Sequence, residues 1–251
     1  MRTVNSVLMT GVGLMLAPQI AMAVTPDWQV ELSSYGWFPE TTSHIKTPSG
    51  KVRSELGASD ALNALDAAFM GSISAHNGQW SVVGDIFYLD LSFQEQSPFG
   101  RLFWEVETKT TLKSIGGYGL YNVFQNSWFA LDAGMGARFL SGDIDVALRG
   151  ISRPDVESSV SDAWIDPLVA VRATAHLGNS WRLVLWMDGG GFGVGEASDR
   201  TWQVTSAVTY RLSQKWSLSG GYRYLYLDRQ TDGVPYDLRF SGPLFGLGYR
   251  F

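Results

Sequence analysis

The sequence has no cysteine in its 251 residues and only three histidines. Beyond the first two dozen positions it also has no apolar run approaching the roughly 18 residues that a membrane helix needs. Without thiols there is neither a disulfide framework nor a lipid-attachment cysteine, and a chain crossing an oxidising compartment loses nothing by lacking them. Three histidines leave no transition-metal site of recognisable spacing. The missing apolar run excludes a helical membrane domain. Membrane residence is then open only to a closed barrel, in which each backbone polar group pairs with a neighbouring strand. A net charge of −5 argues against nucleic acid as a partner, since a phosphate binder wants a basic face.

The first 23 residues carry a lone cation at Arg2, an apolar stretch from Val7 to Ala21, and Ala21-Met22-Ala23 as a small-x-small cleavage signal. They read as a secretory signal peptide, which leaves residues 24–251 as one domain. An uncleaved anchor fits less well, because the run is short and contains Pro18.

Short turns end in tryptophan at Trp28, Trp80, Trp128, Trp181 and Trp216, with the lead-ins TPDW, HNGQW, FQNSW, LGNSW and LSQKW. Each opens a run of alternating apolar residues. A tryptophan at one end of every second strand is what a membrane–water interface selects, because the indole body is apolar and its N–H stays wet. Longer polar segments lie between these turns, matching short periplasmic turns and longer outer loops. The pattern predicts strands at 28–38, 66–76, 79–93, 103–122, 128–142, 158–176, 181–195, 200–212, 216–229 and 237–251. The expected fold is all-β: a closed antiparallel transmembrane barrel of ten strands, with eight or twelve as the neighbouring even counts. Outer loops are expected at 39–65, 94–102, 143–157, 196–199 and 230–236.

Period-two segregation identifies the faces. From Phe103 to Tyr121, Glu105, Glu107, Lys109, Thr111 and Lys113 share one face; Trp104, Val106, Thr108, Thr110, Leu112, Gly116, Tyr118 and Leu120 share the other. Phe129, Leu131, Ala133, Met135, Ala137 and Phe139 oppose Asp132 and Arg138. Leu183, Leu185 and Met187 oppose Arg182 and Asp188. Leu218, Gly220, Tyr222, Tyr224 and Tyr226 oppose Ser217, Ser219 and Arg223. With charge taken as inward, the lumen network comprises Glu31, Asp85, Glu105, Glu107, Lys109, Lys113, Asp132, Arg138, Asp162, Asp166, Arg172, Arg182, Asp188, Arg223 and Arg250. Its near-neutrality suits mutual pairing better than an ion-selective ring. A barrel of about ten strands leaves at most a narrow path. The periplasmic aromatic girdle is assigned to Trp28, Trp80, Phe129, Trp181 and Trp216; Phe129 occupies the lipid slot, which leaves Trp128 inward or in the turn. The run Phe87, Leu89, Leu91, Phe93 after Asp85 makes both faces apolar and suggests a bulge or a flip of facing.

Phe251 is preceded at alternate positions by Tyr249, Leu247, Phe245 and Pro243. This resembles the terminal-strand signature by which bacterial outer-membrane barrels are recognised for assembly, with Tyr249 and Phe251 as the signal. Asp166-Pro167-Leu168, GGGFGVGEASDRTWQ from Gly189 to Gln203, GYRYL from Gly221 to Leu225, and GPLFGLGYRF from Gly242 to Phe251 are similar to a family of uncharacterised proteobacterial outer-membrane β-barrel proteins. GDIFYLDL from Gly84 to Leu91 extends the likeness more weakly. The resemblance implies the outer membrane of a Gram-negative bacterium, with its lipid and its barrel-assembly machinery as partners. It implies no activity and no catalytic residue.

No constellation carries evident chemistry. His76 and His176 fall at periplasmic turns, where a structural role is the better reading. His44, with Ser43 and Glu40, is the only histidine placed on the outer side, and adjacency in a loop is not catalytic geometry. Asp143 and Asp145 lack the further ligands of a calcium loop. The glycines at 189, 190, 191, 193 and 195 are followed by no P-loop lysine, and in a strand they permit bending or close approach. SDALNALDAA from Ser59 has a capping serine and apolar spacing that predict a short helix. The loop holding it either stands outside or folds inward to narrow the pore. No cofactor is implied. The expected role is non-enzymatic: a narrow small-solute channel or a structural envelope component. A surface-loop binding protein is the alternative, and an outer-membrane hydrolase a remoter one.

Overall fold

The computed structural model describes residues 28–47, 50–96, 103–150, 154–231 and 234–251. The expected signal peptide lies outside them. In chain order the elements are β1 (Gln29–Trp37), β2 (Glu40–Thr47), β3 (Gly50–Leu56), α1 (Ala58–Asn63), β4 (Leu65–His76), β5 (Trp80–Gln96), β6 (Phe103–Gln125), β7 (Phe129–Gly150), β8 (Val156–Leu177), β9 (Trp181–Gly190), β10 (Arg200–Arg211), β11 (Trp216–Thr231) and β12 (Val234–Arg250).

β1 and β4 to β12 pair antiparallel in sequence order, and β1 pairs with β12, so ten strands close a barrel. The apolar periodicity places these strands because each must show one face to lipid and the other to the interior. The seam is divided. β1 pairs with the lower half of β12, from Glu31↔Arg250 to Trp37↔Leu244, and β2 pairs with its upper half, from Ser241↔Glu40 to Tyr236↔Ile45. One rising strand is thus interrupted at Phe38-Pro39, where Pro39 has no N–H to give and Phe38 donates to the Pro243 carbonyl at 3.0 Å. β2 and β3 form a hairpin standing on that rim, so the segment 39–65, expected as a loop, is mostly sheet. α1 confirms the short helix within it.

The periplasmic turns repeat one device. Asn77 Oδ1 accepts the N–H groups of Gln79 and Trp80, Asn126 Oδ1 those of Trp128 and Phe129, and Ser213 Oγ those of Lys215 and Trp216. A short polar side chain thereby replaces the missing ladder partners at each reversal. Trp80, Trp181 and Trp216 stand directly opposite Tyr121, Tyr210 and Tyr249, with ring centroids 4.6–5.0 Å apart. Cross-strand aromatic pairs of this kind brace the girdle. Trp128 sits in its turn, 5.6 Å from the Phe129 ring.

The wall is uneven in height. β6, β7 and β8 run for 23, 22 and 22 residues, β9 and β10 for only 10 and 12. A tilted strand crosses a bilayer in about 9–11 residues. On the outward face of the tall strands, apolar Ile115, Phe139 and Ile165 give way to Lys113, Ser141, Asp143 and Ser161. That change marks the outer edge of the bilayer, and the rest of β6 to β8 rises above it. Segment 143–157 is accordingly strand over most of its length.

Candidate functional site

Ion pairs and aromatic rings fill the lumen in layers. At the periplasmic mouth Glu31 binds Arg182 at 3.0 Å and Arg250 at 3.4 Å. Above it Asp132 accepts from Arg172 at 2.8 Å and from Asn122 at 2.8 Å, and Arg172 also reaches Ser81 at 2.7 Å. The middle layer centres on Arg138 and Asp188, 2.7 Å apart with 4% and 0% of their side-chain surface exposed. Trp186 Nε1 donates to the same carboxylate at 2.7 Å, and the Tyr118 hydroxyl accepts from Arg138 at 2.9 Å. Beside it Tyr35 donates to Asp85 at 2.7 Å, and Arg223 lies 3.5 Å from Asp85 and over the Tyr35 ring. Asp166 has no exposed surface; it accepts from the backbone and hydroxyl of Ser198 at 2.7 and 2.9 Å and from Trp164 at 3.1 Å. Buried charges held this way require every partner, because each ion loses its water.

Toward the outer side the lumen turns apolar, with Trp37, Met70, Phe87, Leu89, Leu140, Trp164, Leu225, Leu227, Phe240 and Leu244 packed together. Arg229 closes this layer, bound to Asp162 at 2.9 Å, to the Glu196 carbonyl, and stacked over Trp164. The lumen ion pairs are thus Glu31 with Arg182 and Arg250, Asp132 with Arg172, Asp188 with Arg138, Asp85 with Arg223 and Asp162 with Arg229, while Asp166 is held by Ser198 and Trp164 instead of a base.

Several sequence expectations need correction. Glu107, Lys109 and Lys113 do not face the lumen. They stand on the outer surface of β6 above the bilayer, with Glu107 on Arg149 at 2.7 Å and Lys113 on Asp143 at 3.4 Å. The Glu105 side chain is outside the described ones. Their partners in alternation, Leu112, Gly116, Tyr118 and Leu120, point inward and not to lipid; Leu120 is wholly buried. The reason is height, since charge is driven inside only where lipid is the outside. The run from Phe87 to Leu91 involves no flip. β5 keeps an unbroken register with β6, and Asp85, Phe87, Leu89 and Leu91 all face inward because the upper lumen is itself apolar.

Sequence reasoning missed Arg229, Tyr35, Tyr118, Trp164, Trp186 and Ser198. Arg229 and Ser198 lay where strand ends and outer loops were expected. The sequence left open whether the segment 39–65 folds inward, and it did not single out the segment that does tuck in. The turn 191–199 tucks in and buries Ser198, and Gly191 makes the approach with φ +83°, where a Cβ would lie 2.3 Å from the Ser198 carbonyl oxygen.

The β1–β4 seam is incomplete. The β1–β4 ladder ends at Ser34↔Gly71, although β1 continues to Trp37 and β4 reaches back to Leu65. There the Trp37 N–H donates to the Met70 sulfur at 3.2 Å instead of to a carbonyl. A cavity of 230 Å³ occupies this place.

No family model and no curated protein sequence matches the chain. Among solved structures it is similar to the outer membrane protease OmpT from Escherichia coli, with TM-score 0.61 and 11% identity over 92% of this chain and 99% of that one. Weaker likenesses, both at TM-score 0.35, are to Neisserial surface protein A at 14% identity, over 90% of this chain and 97% of that one, and to the attachment invasion locus protein Ail of Yersinia pestis at 12%, over 89% and 98%. The OmpT likeness concerns the fold alone. A closed wall, a lipid-facing belt that includes Ile73, Val82, Met135, Val169 and Leu247, and an aromatic girdle define an integral β-barrel membrane protein. The chain is a closed ten-stranded barrel with the outer-membrane fold.

Proposed function

We propose that this protein is a sealed structural component of the outer membrane, without enzymatic activity and without an ion path through its lumen. The observation that carries the reading is the middle layer: Arg138, Asp188, Tyr118, Trp186 and Gln203 converge from four strands into one buried cluster. Each lumen arginine described above is ion-paired to an acid, which leaves no ring of one sign to select ions. Of the three histidines, His76 and His176 lie at the periplasmic mouth, and only His44, in β2 of the rim hairpin, is on the side where a hydrolase of this fold would meet its substrate. A planar-bilayer recording tests the proposal: the purified protein should give no steady conductance, whereas Arg138→Ala, which removes the central guanidinium, should give intermittent openings. Steady conductance from the unaltered protein would return the role to that of a narrow channel.

A second reading draws on the height of β6 to β8, whose outward face above the bilayer offers a polar surface that includes Glu107, Asp145, Arg149 and Glu157. This favours binding of a surface partner over adhesion through loops. Loss of binding to a candidate partner after shortening β6 and β7 above Lys113, with the barrel intact, would support it.

A further inference from the structure

From the break in the β1–β4 ladder we infer a lateral binding site for an alkyl chain with an oxygen-bearing head group, entered from the outer leaflet through the barrel wall. Ladder pairing in a closed barrel stops only where something replaces it, since unpaired backbone groups in hydrocarbon are costly. Above Ser34↔Gly71 the replacement is weak: the Trp37 N–H has only the Met70 thioether, and sulfur is a poor acceptor. The adjoining cavity passes through the wall and does not lie to one side of it. Gly36 and Phe38, on the outer surface, and Leu89, Leu112 and Phe240, in the lumen, all line it. The Phe38 ring lies across Gly36, so a side chain and not a backbone ladder covers the opening.

The surroundings specify the ligand. Outside, Phe69 and Phe245 flank the opening at 60% and 61% exposure, so it meets lipid. Inside, the walls are leucine, methionine and aromatic carbon, which suit a methylene chain. Trp37 is 3% exposed, and its indole N–H is buried without a hydrogen-bond partner. A buried donor without an acceptor is expensive. A carboxyl or ester oxygen at the head of the chain would supply the acceptor. Such a chain can arrive as part of a membrane phospholipid or as a free amphiphile dissolved in the leaflet.

The test uses the full-length protein in phosphatidylcholine vesicles with two photoreactive probes. One is a diazirine-bearing fatty acid, the other a phosphatidylcholine carrying the same diazirine acyl chain. Cross-links at the inward residues Leu89 and Leu91 from either probe support the site. Labelling by the fatty acid alone identifies a free amphiphile as the occupant, and labelling by the phospholipid identifies a membrane lipid. Ala68→Phe, which fills the cavity, should abolish inward cross-links while leaving those on the outer belt. Trp37→Phe keeps the ring and removes the donor, and should lower inward labelling by roughly 3- to 10-fold. Heat-dependent gel migration confirms that each variant is folded. Cross-links confined to belt residues such as Phe69 and Phe245, or inward labelling unchanged by Ala68→Phe, would overturn the inference. The conductance result bears on the sealed lumen and leaves this outcome independent.

Discussion

Arg138 and Asp188 each have their partners supplied by rigid strands, and neither can be removed without stranding the other in a dry interior. Breaking such a pair by removing one member costs about 3–5 kcal/mol, whereas replacing both by apolar residues of similar volume costs far less. Arg138→Met alone should therefore destabilise the barrel by ~3–5 kcal/mol in urea unfolding from vesicles. The double change Arg138→Met with Asp188→Leu should recover most of that loss. Outside the bilayer the charges behave differently. Asp155 accepts the Gly150 N–H at 2.9 Å and then the Arg149 guanidinium, and these hold its carboxyl below the usual aspartate range. Because its folded value is depressed, the stabilisation of this strand end is present above the unfolded aspartate value of about 3.9 and is lost as pH falls through the lower folded value. In a pH titration followed by NMR, the Gly150 amide should shift with a midpoint below 3.9, and Asp155→Asn should abolish the step.

At the scale of elements, the strands were readable from sequence because lipid on one side and packing on the other impose strict alternation. The ten wall strands lie within a few residues of their expected places, except where β7 extends to Gly150 and β9 stops at Gly190. Facing was harder to read. Alternation separates two faces without saying which is inside, and β6 carries its charged face outward above the bilayer and its Tyr118 and Leu120 inward within it. The hairpin of β2 and β3 left no signal because ETTSHIKT and GKVRSEL have few apolar residues to segregate. The inward turn was hidden for a related reason, since Ser198 is polar and becomes buried only through Asp166. Gly191 makes that turn. Gly191→Ala places a Cβ against the Ser198 carbonyl in a backbone region costing about 1–3 kcal/mol for other residues. The Ser198 amide, which donates to Asp166 at 2.7 Å, should then exchange its hydrogen ~10- to 100-fold faster.

For the whole molecule, closure is the property to measure. Folded barrels of this type resist detergent and migrate differently on gels before and after boiling, and this chain should do the same. Glu31 joins Arg182 and Arg250 across the mouth, so Glu31→Gln should lower the temperature of the gel transition by roughly 2–4 °C, as expected for the loss of about 1 kcal/mol from a partly exposed network. An unchanged transition would make the mouth cluster ornamental.

The divided seam also sets an order in time. β1 and β12 lie at opposite ends of the described chain, and the contact of Arg250 with Glu31 spans 219 residues. No partial product of synthesis can be a barrel, because every shorter chain exposes two raw edges that invite pairing with anything extended. The last strand must meet the first along half its length and the β2 rim along the other half. Closure therefore joins β12 to two strands in turn, with the boundary at Phe38-Pro39, and the long sequence separation of the partners makes it a slow step.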